Sequence, residues 1–238
     1  MRKLVLTLSL LFLPTVALAG VTFSEIDIQD CDTQSSCTET THTAGGLTLV
    51  AQVSDDSTAT DRDTGGCTQG GVAMTRVSDN EIIGGNVEMD VFYMQNGSGN
   101  IVCTWGGAVT GGGMISVTYT GFLVTDNPHV VAENSSAGNT VISQTITTTV
   151  ANTMLVDFVG GALGGESYTS DAGQTERTDN AIGGLTMASS DKQTAVGKAY
   201  TMGQTITTST ALAYKIVSIR PSVTSTNSLG TDSLGVTS

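Results

Sequence analysis

The amino-acid sequence predicts an all-β fold, an antiparallel two-sheet β-sandwich of jelly-roll-like form. Three observations carry this. Apolar residues recur with period two rather than 3.6, paired glycines punctuate the apolar runs, and no segment sustains helical spacing between caps. The composition agrees: of 238 residues 39% are hydrophobic, 5% aromatic and 13% charged, with 29 glycines. Ser and Thr together make up about a quarter of the chain, the coating expected of many short strands facing water. A chain of this length can bury a sizeable core within one domain.

The elements follow in order. Arg2 and Lys3 precede an apolar run over 4–16, broken by Pro14, and Ala17-Leu18-Ala19 forms a small-residue cleavage site before Gly20. This is the pattern of a secretory signal peptide, because the run is shorter than the ~20 residues a membrane-spanning helix needs. Removal of residues 1–19 takes the net charge from −13 to −15. It places the chain outside the cytoplasm: secreted, at a cell surface, or in a periplasm. The main domain is expected over 20–221, its first part, 20–46, being a strand followed by an acidic disulfide loop. Residues 222–238 are polar and aperiodic and read as a flexible Ser/Thr-rich tail.

Within the domain, Leu47, Leu49, Ala51 and Val53 alternate with Thr48, Val50 and Gln52. Val87, Met89, Val91 and Tyr93 alternate with Glu88, Asp90, Phe92 and Met94. Similar runs lie at 21–28, 72–77, 101–105, 114–124, 141–149, 154–159, 194–202 and 211–220. Glycine pairs such as Gly84-Gly85, Gly106-Gly107 and Gly160-Gly161 turn the chain between them. With no helix to cover them, the apolar faces must bury against one another.

Four cysteines, an even number, suit an oxidising compartment. Cys31 and Cys37 bracket a polar loop, while Cys67 and Cys103 sit at the ends of strand-like runs. Of the three possible connectivities the local one, Cys31 with Cys37 and Cys67 with Cys103, is preferred. A zinc site would want closer Cys spacing or adjacent histidines, and His42 and His129 supply neither.

Charge narrows the function. Nine Lys and Arg against 22 Asp and Glu repel phosphate backbones, which excludes nucleic acid as a partner. No later segment is long and apolar enough for a membrane span once the leader is gone. A serine nucleophile would need Gly-x-Ser-x-Gly spacing, which the turn at Asn96-Gly97-Ser98-Gly99 lacks. His42 and His129 read as surface residues, and Asp157, in an apolar strand, as an outward-facing acid. The cation candidate is the loop carrying Asp55, Asp56, Asp61 and Asp63 before Gly65-Gly66. Its clustered oxygens suit calcium, although Arg62 interrupts them and no closing Glu follows. Asp27, Asp30 and Asp32 form a second acidic cluster. Trp105 stands between two roles, stacking on a sugar ring or filling the core.

Several segments together resemble a β-sandwich module of exported bacterial surface proteins and phage structural proteins. They are 46–53 (Gly-Leu-Thr-Leu-Val-Ala-Gln-Val), 70–77, the strand Val91-Phe92-Tyr93-Met94, 154–159, 172–177 and 213–221. The likeness spans roughly residues 47 to 221, the length of a single sandwich domain. Gly70-Gly71 stands where that module often has Asn-Gly, and Phe92-Tyr93 where it often has Trp-Tyr. The resemblance implies a non-catalytic extracellular module and transfers no catalytic residue. The functional expectation is a structural or adhesive component of a surface or virion-like assembly, partnered by copies of itself or by other surface proteins. A carbohydrate-binding module using calcium is the alternative, and a secreted glycan hydrolase the next.

Overall fold

The computed structural model describes residues 17–18, 20–40, 42, 45–55, 65–77, 82–84, 86–182 and 184–224. Among them the regular structure is all strand, and every pairing is antiparallel. The first half of the chain gives β1 (Ala17–Leu18), β2 (Thr22–Asp30), β3 (Ser36–Glu39), β4 (Leu47–Asp55), β5 (Gly66–Gln69), β6 (Val72–Ala73) and β7 (Thr75–Arg76). Then come β8 (Ile82–Gly84), β9 (Val87–Gln95), β10 (Ile101–Thr104) and β11 (Gly111–Thr120). The second half gives β12 (Val131–Thr147), β13 (Met154–Gly161), β14 (Tyr168–Ser170), β15 (Thr175–Ile182), β16 (Leu185–Gln193), β17 (Ala199–Ile219) and β18 (Val223–Thr224).

Two six-stranded sheets face each other. The first has the order β2-β11-β4-β9-β7 with β8 also on β9; the second has β12-β17-β13-β16-β15 with β14 also on β17. The period-two alternation explains the core between them. Leu47, Leu49, Ala51 and Val53 of β4, with Val87, Met89 and Val91 of β9, meet Met154, Val156 and Phe158 of β13 and Ala213, Val217 and Ile219 of β17.

The expectation of two sheets undercounts the layers. The other face of the first sheet presents Val50, Phe92 and Met114, apolar side chains that need cover. A four-stranded sheet, β3-β10-β5-β6, supplies it and brings Cys31, Cys37, Cys67, Cys103, Ile101 and Trp105 into the same cluster. The second sheet is covered by its own longest strands. Pairing of β12 with β17 slips between Ser136 and Asn139 and again between Asn139 and Val141, and such bulges bend strands. Met202 and Ile206 of β17 thereby pack, with Ile142 and Ile146 of β12, against Leu155, Val159 and Tyr214. Val223–Thr224, read from the sequence as tail, pairs with Ala17–Leu18, read as leader.

Candidate functional site

Three buried polar constellations are built between these layers. The first begins at Glu39 on β3. His42 lies three residues on, and its Nδ1–H donates to Glu39 Oε1 at 3.0 Å. His42 Nε2 stands 3.1 Å from the hydroxyls of both Thr48 on β4 and Thr118 on β11, and Ser116 Oγ donates to Glu39 Oε2 at 2.6 Å. Burial works against a charged ring, but the Glu39 hydrogen bond and the negative charges of Glu39, Glu25 and Asp27 outweigh it. They hold the His42 pKa above its ordinary value.

Carboxylate, imidazole and hydroxyl in series is the arrangement that activates a nucleophile. Here Glu39, Thr48, Thr118 and Ser116 are each 1% exposed and His42 7%. The series is sealed between the small sheet and the first large one, and what it does there is tie β3, β4 and β11 together. His42 is therefore not the surface residue the sequence suggested. The acid–histidine spacing was visible in the sequence; the hydroxyls were not, because they belong to strands buried on both faces.

The second constellation centres on Asp157 of β13, which is fully buried rather than outward-facing. Alternation does turn it away from the main core, but the bent half of β17 closes over that face. Its Oδ1 accepts from Ser190 N and Ser190 Oγ, both at 2.7 Å, and its Oδ2 from Tyr214 OH at 2.8 Å and Gln174 Nε2 at 3.0 Å. Gln204 Nε2 lies 3.2 Å from both oxygens. Burial pushes the pKa up to about 6, against the opposing pull of the Ser190, Tyr214 and Gln204 hydrogen bonds. Gln204 comes from the folded-over half of β17 and Ser190 from β16, so this carboxylate pins the fold-over onto the sheet.

The third joins the open edges of the two large sheets. Arg177 of β15 donates from Nε and Nη2 to Asp191 of β16 at 2.7 and 3.0 Å, and Tyr119 OH of β11 donates to the same carboxylate at 3.0 Å. The guanidinium also lies over the Phe23 ring of β2, 4.1 Å from its centroid.

The residues singled out in the sequence fall as follows. The structure bonds Cys31 to Cys37 and Cys67 to Cys103. Trp105 is 6% exposed within the cysteine cluster, so it fills core; a stacking platform needs an exposed ring face. Asp55 ends β4 half-buried, and its carbonyl accepts from Thr110 N. Asp56, Asp61 and Asp63 lie outside the described residues, so the calcium loop as a whole does too. Among the described residues no group of three or more His, Cys, Asp or Glu is placed to hold a metal. Of the second acidic cluster, Asp32 accepts from Gly112 N and Gly184 N, both at 3.0 Å, bridging the two large sheets. His129 is half-buried and pairs with Asp126, which also holds Arg220. The His129 and Arg220 hydrogen bonds lower the Asp126 pKa.

Fold and site define a layered all-β protein in which several buried polar groups join one layer to the next. Two disulfides accord with an oxidising environment. No helix among the described residues is long and apolar enough to cross a membrane. Compared with known proteins, the chain matches no family model, no curated protein and no solved structure.

Proposed function

We propose that this protein is a non-catalytic structural or adhesive module, secreted or displayed at a surface, that assembles with further copies of itself. One observation carries the reading. β12 is an edge strand of the second sheet, and from Asn134 to Thr147 it contains no charged residue, in a chain of net charge −13. Much of that stretch is exposed, including Val141 at 52%. Proteins that must stay apart protect such edges with charge, proline or bulges; β12 carries bulges between Ser136 and Val141 but no charge or proline from Asn134 to Thr147. An uncharged edge is where the repulsion between acidic copies is least and strand addition is cheapest. The two-sheet sandwich, jelly-roll-like in the sense anticipated from the sequence, is in this reading the body of the module, and the cysteine-rich sheet is an added plate.

The sealed constellations support the same reading, since Glu39, His42, Thr118 and Asp157 hold layers together. A screen of the secreted chain against soluble oligosaccharides and insoluble cell-wall polymers, with and without millimolar calcium, tests it. The proposal expects no saturable saccharide binding and no release of sugar. A calcium-dependent, saturable glycan would replace it with the carbohydrate-binding reading, and glycan cleavage with the hydrolase.

A further inference from the structure

We propose that the two disulfides form one exchange-coupled unit, in which Cys37 and Cys103 are a latent third pairing. A thiol reductant that opens Cys31–Cys37 then moves the second cross-link one strand over instead of leaving it in place.

The register puts Cys37, Cys103 and Cys67 side by side across three strands. β10 is the inner strand of the small sheet, with β3 on one side and β5 on the other. Cys103 is the direct cross-strand partner of Cys37 on β3 and of Cys67 on β5. Partners in register project to the same face of a sheet, and all four cysteines are buried within one cluster, each 3% exposed or less. The Cα atoms of Cys67 and Cys103 are 4.0 Å apart, which marks the narrow, non-hydrogen-bonded kind of antiparallel pair. Narrow and wide pairs alternate across a strand, so Cys103 meets Cys37 in a wide pair, with Cα atoms about 5.5 Å apart. That Cα separation lies within the span a disulfide bridges, but the side chains of a wide pair stand farther apart than those of a narrow one, so forming the bond draws β3 and β10 together locally.

Access is unequal. Residues 33–36, between Cys31 and Cys37, are all exposed, whereas Gly66, Thr68, Val102 and Thr104, flanking the other bridge, are half-buried. Cys31 and Cys67 are themselves equally buried, at 3% exposed, so it is opening of the exposed 33–36 loop that lets a small thiolate reach Cys31 first. It attacks Cys31 Sγ, forms a mixed disulfide there and expels the Cys37 thiolate. Cys37 attacks Cys103 Sγ, the Cys37–Cys103 bond forms as the Cys67–Cys103 bond breaks, and the Cys67 thiolate leaves and takes a proton from water. A second reductant thiolate resolves the mixed disulfide, giving oxidised reductant and the free Cys31 thiol. The net change is one disulfide reduced, with the survivor joining β3 to β10 and β5 released from its covalent tie.

The test is limited reduction of the folded, secreted protein with glutathione, acid quenching, alkylation and peptide mapping. The proposal expects once-reduced protein to carry mainly a Cys37–Cys103 link, with Cys31 and Cys67 alkylated. Once-reduced protein that keeps Cys67–Cys103, with Cys31 and Cys37 alkylated, would overturn it. The double variant Cys31→Ser/Cys67→Ser is a second reading. If it folds, it is expected to lose two hydrogens on oxidation and to link Cys37 to Cys103, and a folded variant with two persistent free thiols would contradict the proposal. If it fails to fold, the map of the unaltered chain decides alone.

Discussion

At the scale of the residue, Asp157 and His42 respond to pH in ways that can be worked out in sign. Asp157 has its folded-state pKa raised to about 6 from 3.8, so the native state binds its proton more tightly than the unfolded chain. Its contribution to stability is fully present below the unfolded value and is lost as pH rises through about 6. That contribution amounts to about 3 kcal/mol between the two limits. Urea unfolding of the parent and of Asp157→Asn between pH 4 and 7 should show the parent gaining stability on acidification relative to the variant. Parallel profiles would mean that the carboxyl is not desolvated as described. His42 is also raised, so its favourable pairing with Glu39 is present at acid pH and is lost as pH climbs above the ordinary histidine range. His42→Gln leaves Glu39 buried without its ring partner and should cost roughly 3 kcal/mol near neutrality. The change in urea midpoint measures it, and an unchanged midpoint would remove the tie between β3 and the first large sheet.

The elements show which parts of the fold sequence alone could reveal. Strands β4, β9 and β11 were legible because apolar residues recur along them with period two, and β13 because it is a short continuous apolar run. β15, with the sequence TERTDNAI, and β16, with LTMASSDKQ, were not anticipated. Buried on both faces of β16 are Ser189, Ser190 and Asp191, whose burial is compensated by hydrogen bonds instead of apolar contact. Hydrophobic periodicity is blind to such a face. The bend of β17 was hidden for a similar reason, since a slip in register leaves no mark in composition.

Two predictions belong at this scale. Cys67–Cys103 closes a sequence separation of 36 and Cys31–Cys37 one of 6. Removing the longer bridge by paired Cys→Ala substitution should therefore cost about 4 kcal/mol and the shorter about 2. Thermal denaturation of the two variants ranks them, and a reversed order would show that native packing, not chain restriction, dominates. In the β5–β6 turn, Gly70 and Gly71 both have positive φ, 58° and 80°. A Cβ on Gly70 would lie 2.3 Å from Ser98 O, while one on Gly71 meets nothing within 4 Å. Gly71→Ala should cost about 1 kcal/mol, the backbone term alone. Gly70→Ala should cost distinctly more, and equal losses would argue against that close approach of the 96–100 turn.

Over the whole molecule, four thicknesses of strand are joined by buried polar groups. Asp32 and Asp191 span the two large sheets, Glu39 and His42 tie the small sheet to the first, and Asp157 pins the fold-over to the second. Each costs desolvation, and each returns a fixed relation between layers. Against this body stands a chain of net charge −13, which opposes casual association but is screened beyond about 8 Å at physiological salt. In the proposed assembly the uncharged edge of β12 is the contact at which copies would meet. The most direct test is the absolute mass of residues 20–238, secreted with disulfides intact, by light scattering after size exclusion across a range of concentrations, in calcium and in chelator. A defined oligomer or a growing polymer is predicted, and introducing Lys at Val141 and Thr145 should reduce it to the single chain. A monomer at every concentration, with or without calcium, would contradict self-assembly as the protein's function.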